Sequence, residues 1–165
     1  MHARLYCAAT ACALTLQACA TTAGDAAEQG KTWVILPAHA PVVAVVGGTW
    51  KPSVEQVLAA RDAAKRQIAS DTHLRIPHTD RRWRLGLDYA SDILREWNVY
   101  RMQAYGVTHS GRHMIHLCFL TPEHPDDGSW KHDLLMISDG GSAYWDAEYD
   151  PTSGKILWWQ THAVA

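Results

Sequence analysis

Apolar and polar positions change their spacing several times along the chain, and each change predicts an element. Residues 5–16, LYCAATACALTL, are almost wholly apolar, whereas residues 20–32, ATTAGDAAEQGKT, are small and polar without periodicity. The second stretch has the composition of a flexible tether. Residues 33–50, WVILPAHAPVVAVVGGTW, hold two apolar runs broken by Pro37 and Pro41 and ended by Gly47-Gly48. Proline favours sheet edges and glycine pairs end elements, so an extended segment with one edge strand at 42–46 is expected.

From Ser53 onward the spacing turns helical. Val54, Val57, Leu58, Ala64 and Ile68 fall near one face, with Ala60 and Ala63 small enough to bring a sheet close. Ser53 and Gln56 have capping-box spacing, in which each side chain accepts the other residue's backbone N–H. Glu55 suits the positive first turn of such a helix, and Lys65 and Arg66 suit the negative last one. A second, shorter helix is predicted within 86–97 from Leu87, Ile93, Leu94 and Trp97. The intervening 70–84, with Pro77 and four arginines, reads as irregular.

After Asn98 the pattern alternates. Strands are predicted at about 99–108, 112–120, 131–137 and 143–150, with a fifth at 155–161. Ser110-Gly111, Asp139-Gly140-Gly141 and Pro151-Thr152-Ser153-Gly154 supply turn chemistry between them. The connection TPEHPDDGSW, residues 121–130, is long for a hairpin. Ala143, Trp145, Ala147 and Tyr149 alternate with Tyr144, Asp146, Glu148 and Asp150, as expected of a sheet with one apolar and one solvated face. Trp158 and Trp159 then fall on opposite faces. The expected fold is α+β, one main helix packed on a four- to five-stranded antiparallel meander, as a single domain over 33–165.

This order of elements resembles the cystatin-like architecture. Val46-Gly47-Gly48 followed by Ser53-Val54-Glu55 is similar to the glycine pair and helix start of protease-inhibiting cystatins. Gln103-Ala104-Tyr105-Gly106 is similar to their first-hairpin motif, one residue short and without its valine, and here the turn is expected later, at Ser110-Gly111. The ending Tyr149-Asp150-Pro151-Thr152-Ser153-Gly154-Lys155-Ile156 resembles the final hairpin of PepSY-type domains. The resemblance implies the fold and points toward inhibition of a protein partner.

The amino-terminal segment changes the count of residues available to the fold. Arg4 is the only Lys, Arg, Asp or Glu before Cys19, and the apolar run after it is shorter than the roughly 20 residues that span a bilayer. A basic start, a short apolar core and small residues at its exit describe an export signal. Leu16-Gln17-Ala18-Cys19 resembles the bacterial lipobox, which implies cleavage before Cys19 and acylation of that residue, several chains giving stable anchoring. Ala20 is not the aspartate that retains such lipoproteins in the inner membrane. The chain thus divides into a signal peptide (1–18), a tether (19–32) and the domain, anchored at the periplasmic face of the outer membrane.

Without its first 18 residues, the chain of 165 keeps 147, with 14 Lys and Arg against 17 Asp and Glu, a net charge of −3. That balance lacks the basic stripe of a nucleic-acid binder. Cys7 and Cys12 leave with the signal and Cys19 is acylated, so Cys118 stands alone and no internal disulfide framework is expected.

Catalytic chemistry is hard to find in this sequence. His113 and His116, three apart on a strand, face opposite sides; His116 and Cys118 share a face, but two residues make a weak metal site. Ser142 follows a glycine turn yet lacks a strand-to-helix elbow. Neither a Walker loop nor a dinucleotide fingerprint is present. No cofactor, metal or catalytic residue is therefore assigned. The expected contact surface comprises Tyr144, Asp146 and Glu148, the exposed one of Trp158 and Trp159, and Asp126, Asp127 and Trp130 from the long loop. Aromatic anchors beside acids suit a basic protein partner. Three functions follow: a non-enzymatic inhibitor or immunity protein, a structural envelope lipoprotein of an assembly or secretion machine, and, less favoured, a small hydrolase.

Overall fold

The computed structural model describes residues 31–71, 89–122 and 128–162. Cys19, Asp126 and Asp127 lie outside them. The described chain is a mixed α+β fold built on one six-stranded sheet: β1 (Trp33–Ile35), β2 (Gly48–Trp50), β3 (Arg101–His109), β4 (Arg112–Leu120), β5 (Tyr144–Asp150) and β6 (Lys155–Thr161). Strands β3 to β6 form an antiparallel run in chain order. The other edge of β3 is shared. β1 pairs with Met102–Ala104 in parallel, and β2 pairs with Gly106 and Val107 antiparallel. The sheet is therefore larger than the four or five strands expected, because the segment before the long helix contributes two of its own.

Helix α1 (Pro41–Val45) stands where an edge strand was expected at 42–46. Pro41 occupies the first turn, where its missing N–H costs nothing and its ring presets the helical φ. Ala44 N–H then bonds Ala40 O at 2.9 Å, and Val46 N–H bonds Val42 O at 3.1 Å. Only Val43 of this run is buried, with Val42 and Val46 partly buried against the same cluster and Val45 exposed, so β-branched propensity yields to proline geometry and this packing.

Helix α2 (Val54–Asp71) begins with the expected capping box: Ser53 N–H bonds Gln56 Oε1 at 2.8 Å and Gln56 N–H bonds Ser53 Oγ at 3.2 Å. It buries Val57, Ala60, Ala63, Ala64 and Ile68. These pack with Ile115, Leu117 and Phe119 of β4 and Trp145 and Ala147 of β5. Each Val, Ile or Leu side chain so buried contributes about 1.5–3 kcal/mol before entropy is counted, and each alanine methyl roughly 0.8 kcal/mol. Residues 89–95 are also helical, and Trp97 beyond them lies against Phe119 and Trp145, which stack at 3.7 Å between ring centroids.

The β3–β4 turn falls at Ser110-Gly111, with φ of 51° and 78°. Two central residues of positive φ match the right-handed twist of the strands they join. Residues 131–137 form no strand. A 3-10 turn (Ser129–Lys131) leads into a segment without regular secondary structure that is held by the side chain of Gln103. Gln103 Nε2 donates to Trp130 O at 2.5 Å and to Asp133 O at 2.7 Å, and its Oε1 accepts from Leu135 N–H at 3.0 Å. Asp139-Gly140-Gly141 likewise makes no hairpin. A second 3-10 turn (Gly141–Ala143) leads from it directly into β5.

The sheet face opposite α2 thus has its own apolar cover. Val34, Leu36, Val43, Trp130 and Leu134 pack with Tyr105, Val107, Met114, Cys118 and Leu120 over β3 and β4. This cover replaces the solvated face expected from alternation alone. Over β5 and β6 it stops short, and a cleft opens.

Candidate functional site

The cleft floor draws on two neighbouring rows of cross-strand partners, of which Cys118, Asp146, Tyr105, His116, Glu148 and Trp158 line it. Gln103, Cys118, Asp146 and Gln160 make one row across β3 to β6, and Tyr105, His116, Glu148 and Trp158 make the next. Alternate residues of one strand share a face, and antiparallel register sets their partners opposite. Met136 and Val46 also line the cleft, whose volume is about 550 Å³. Met136 is 73% exposed and Trp158 37%, so the cleft has large apolar groups open to solvent.

At the floor, His116 lies between two aromatic rings. Tyr105 stacks on it at 5.0 Å, and Trp158 meets it edge-on at 5.4 Å. Its Nε2 faces Asp146 Oδ1 at 3.7 Å, and the other carboxylate oxygen lies 2.8 Å from His162 Nε2. The ligating atoms of His116, Cys118 and Asp146 all lie within 4.8 Å of one another. Glu148 is buried as well, with Oε2 at 3.0 Å from His109 Nε2. Asp146 and Glu148 thus point away from α2, yet they line a cleft and meet imidazoles instead of standing in open solvent.

Burial raises the Asp146 carboxyl, but the facing His116, the Cys118 thiol and His162 together hold it below its ordinary value. An ionised Asp146 is an acceptor, so His162 presents Nε2–H to it. Cys118 is shifted the other way. Burial, and then the adjacent Asp146 carboxylate, push its thiol well up. A nucleophilic cysteine needs the reverse, a thiolate favoured by cationic or dipolar neighbours. None of the described residues lining the cleft is Lys or Arg, so its fixed charges are those of Asp146 and Glu148.

The remaining residues of the expected contact surface are distributed unevenly. Tyr144 lines the cleft together with Trp158. Trp159 turns to the α2 face, where its Nε1–H donates to Asp71 Oδ2 at 2.7 Å. Trp130 is buried in the second core, with Arg101 and Lys131 over its ring, so its indole is no surface anchor. His113 sits apart from the floor, stacked on Trp50 at 4.7 Å. Alternation in the sequence already pairs His116 with Cys118. Asp146 and His162 join them only through the register of β4 with β5 and the return of the chain after β6.

Compared with protein-family models, with curated proteins and with solved structures, the chain shows no match in any of the three.

Proposed function

We propose that this is a non-enzymatic binding protein, lipid-anchored through Cys19 at the periplasmic face of the outer membrane, whose cleft receives a basic segment of a protein partner. Its role is that of an inhibitor or immunity protein against a toxic or hydrolytic effector. The observation that carries the reading is the cleft itself: exposed apolar Met136 and Trp158 stand beside the acidic Asp146 and Glu148, without a lining Lys or Arg among the described residues. An aromatic anchor next to fixed negative charge favours a cationic side chain with an apolar stem. A cystatin-like relation of sheet and helix belongs to the same reading. It is supported by the capped α2 packed on the antiparallel β3–β6 run.

The test is capture from cross-linked envelopes with the full chain and with Trp158→Ala. Recovery of one protein, lost with the variant and inhibited by the pure wild type, supports the reading. Recovery of several envelope components that the variant retains favours a structural role in an assembly or secretion machine. If neither chain recovers a specific protein, the binding role is lost.

A further inference from the structure

Three donors of different chemistry converge on the cleft floor: an imidazole, a thiol and a carboxylate. We infer that His116, Cys118 and Asp146 form a binding site for a borderline-soft divalent metal ion, zinc by donor chemistry, with a coordination position left open toward the cleft. This goes beyond the partner-binding reading and does not depend on it.

Geometry argues first. In a tetrahedral zinc site with bonds of about 2.0–2.3 Å, neighbouring ligand atoms stand roughly 3.3–3.8 Å apart. His116 Nε2 and Asp146 Oδ1 are 3.7 Å apart, too long for a hydrogen bond and within that range. All three donor atoms lie within 4.8 Å, so closing on an ion takes a movement of about 1 Å, within the reach of side-chain torsions. The backbone requires no change, because His116 and Cys118 alternate on β4 and Asp146 is the register partner of Cys118.

The surroundings complete the site. Asp146 Oδ1 faces the donors while Oδ2 is occupied by His162 at 2.8 Å. That is the arrangement by which an outer imidazole orients a ligating carboxylate. Tyr105 and Trp158 hold the ring of His116 from two sides. Thiolate with imidazole selects zinc or copper over magnesium or calcium, and three protein ligands leave the fourth tetrahedral position for water or a partner's side chain. As the sulfur–metal bond forms, the thiol proton passes to solvent.

The experiment uses the tag-free full chain in which Cys7, Cys12 and Cys19 are serine, leaving Cys118 as its sole thiol. Cobalt(II) is added under reducing conditions, followed by zinc. The expected result is one cobalt per chain with a thiolate-to-cobalt charge-transfer band, abolished by stoichiometric zinc. Cys118→Ser should remove the band, and His116→Gln or Asp146→Asn should weaken cobalt binding at least 100-fold. His162→Gln should keep the band and weaken binding about 10–100-fold, as outer partners do. His113→Gln, away from the floor, should change nothing. Melting of each variant without metal establishes that it is folded, and zinc should raise the melting temperature of the parent single-thiol chain but not of its Cys118→Ser variant. Absence of the band at saturating cobalt overturns the site, and so does binding that His116→Gln and Asp146→Asn leave unchanged in folded protein.

Discussion

Cys118 on β4 and Asp146 on β5 are cross-strand partners, which sets a thiol beside a carboxylate at the floor of a cleft. Their proximity is a consequence of register. A slip of one residue would turn Asp146 toward α2 and bring Trp145, a core residue, out into the cleft. The same register places Glu148 opposite His116. Asp146 and Glu148 therefore face imidazoles, of His116 and His162 and of His109 respectively.

Charge reversal on β5 is expected to damage the fold. From alternation alone, Asp146→Lys with Glu148→Lys would be a surface change within about 0.5 kcal/mol. Glu148 is only 6% exposed, and both acids face imidazoles. A lysine ammonium in place of Glu148 would sit in a site that is almost closed to solvent and facing an imidazole donor, so its charge would be poorly solvated and without an acid partner. The double variant should melt far below the wild type, whereas Trp158→Ala, at a partly exposed indole, should melt close to it. Thermal melting of the two side by side checks this.

Gln103→Leu should loosen the cover of the second face. Its side chain satisfies the carbonyls of Trp130 and Asp133 and the N–H of Leu135. Each such group left buried without a partner costs about 1–3 kcal/mol. Amide exchange at Leu135 should accelerate strongly, while amides bonded between β3 and β4 remain protected. Unchanged exchange at Leu135 would show that the segment is held by other contacts.

Acid should destabilise the protein through two carboxylates. Asp150 is held below its ordinary value of 3.8, first by the Ser153 hydroxyl and then by the Thr152 and Ser153 N–H groups and the Arg112 charge, against burial. Asp146 is lowered by its imidazole and thiol neighbours despite burial. A folded pKa below the unfolded one means that the unfolded chain binds protons first as pH falls. The stabilisation is complete above the ordinary carboxyl value and is lost as pH descends through the folded values. Melting between pH 6 and roughly 2 should show this loss, with a shallower decline in Asp150→Asn.

The proposed anchoring through Cys19 can be tested apart from the domain. Wild-type protein should label with radioactive palmitate and fractionate with the outer membrane, and Cys19→Ser should do neither. Labelling that survives in Cys19→Ser would remove Cys19 as the acylated residue.

Local signals in the sequence determined a good part of the fold. Ser53 and Gln56 mark the start of α2 because a capping box closes within one turn. Ser110-Gly111 marks the β3–β4 turn because two adjacent residues with positive φ suffice. The even residues of β5 share a face because strand period is two. Non-local pairing decided the rest. The apolar run 42–46 has strand composition, and the packing of Val43 on the second core goes with its helical form in α1; residues 131–137 are held by a side chain far away in sequence, Gln103. Alternation put Asp146 and Glu148 on the face away from α2. Whether that face met water, a cover or a cleft depended on where β1, α1 and the segment after Trp130 came to rest. The convergence of His116, Cys118 and Asp146 rests on the register between β4 and β5. That register is a property of the assembled sheet, because it follows from the packing of whole strands and no short stretch of sequence encodes it.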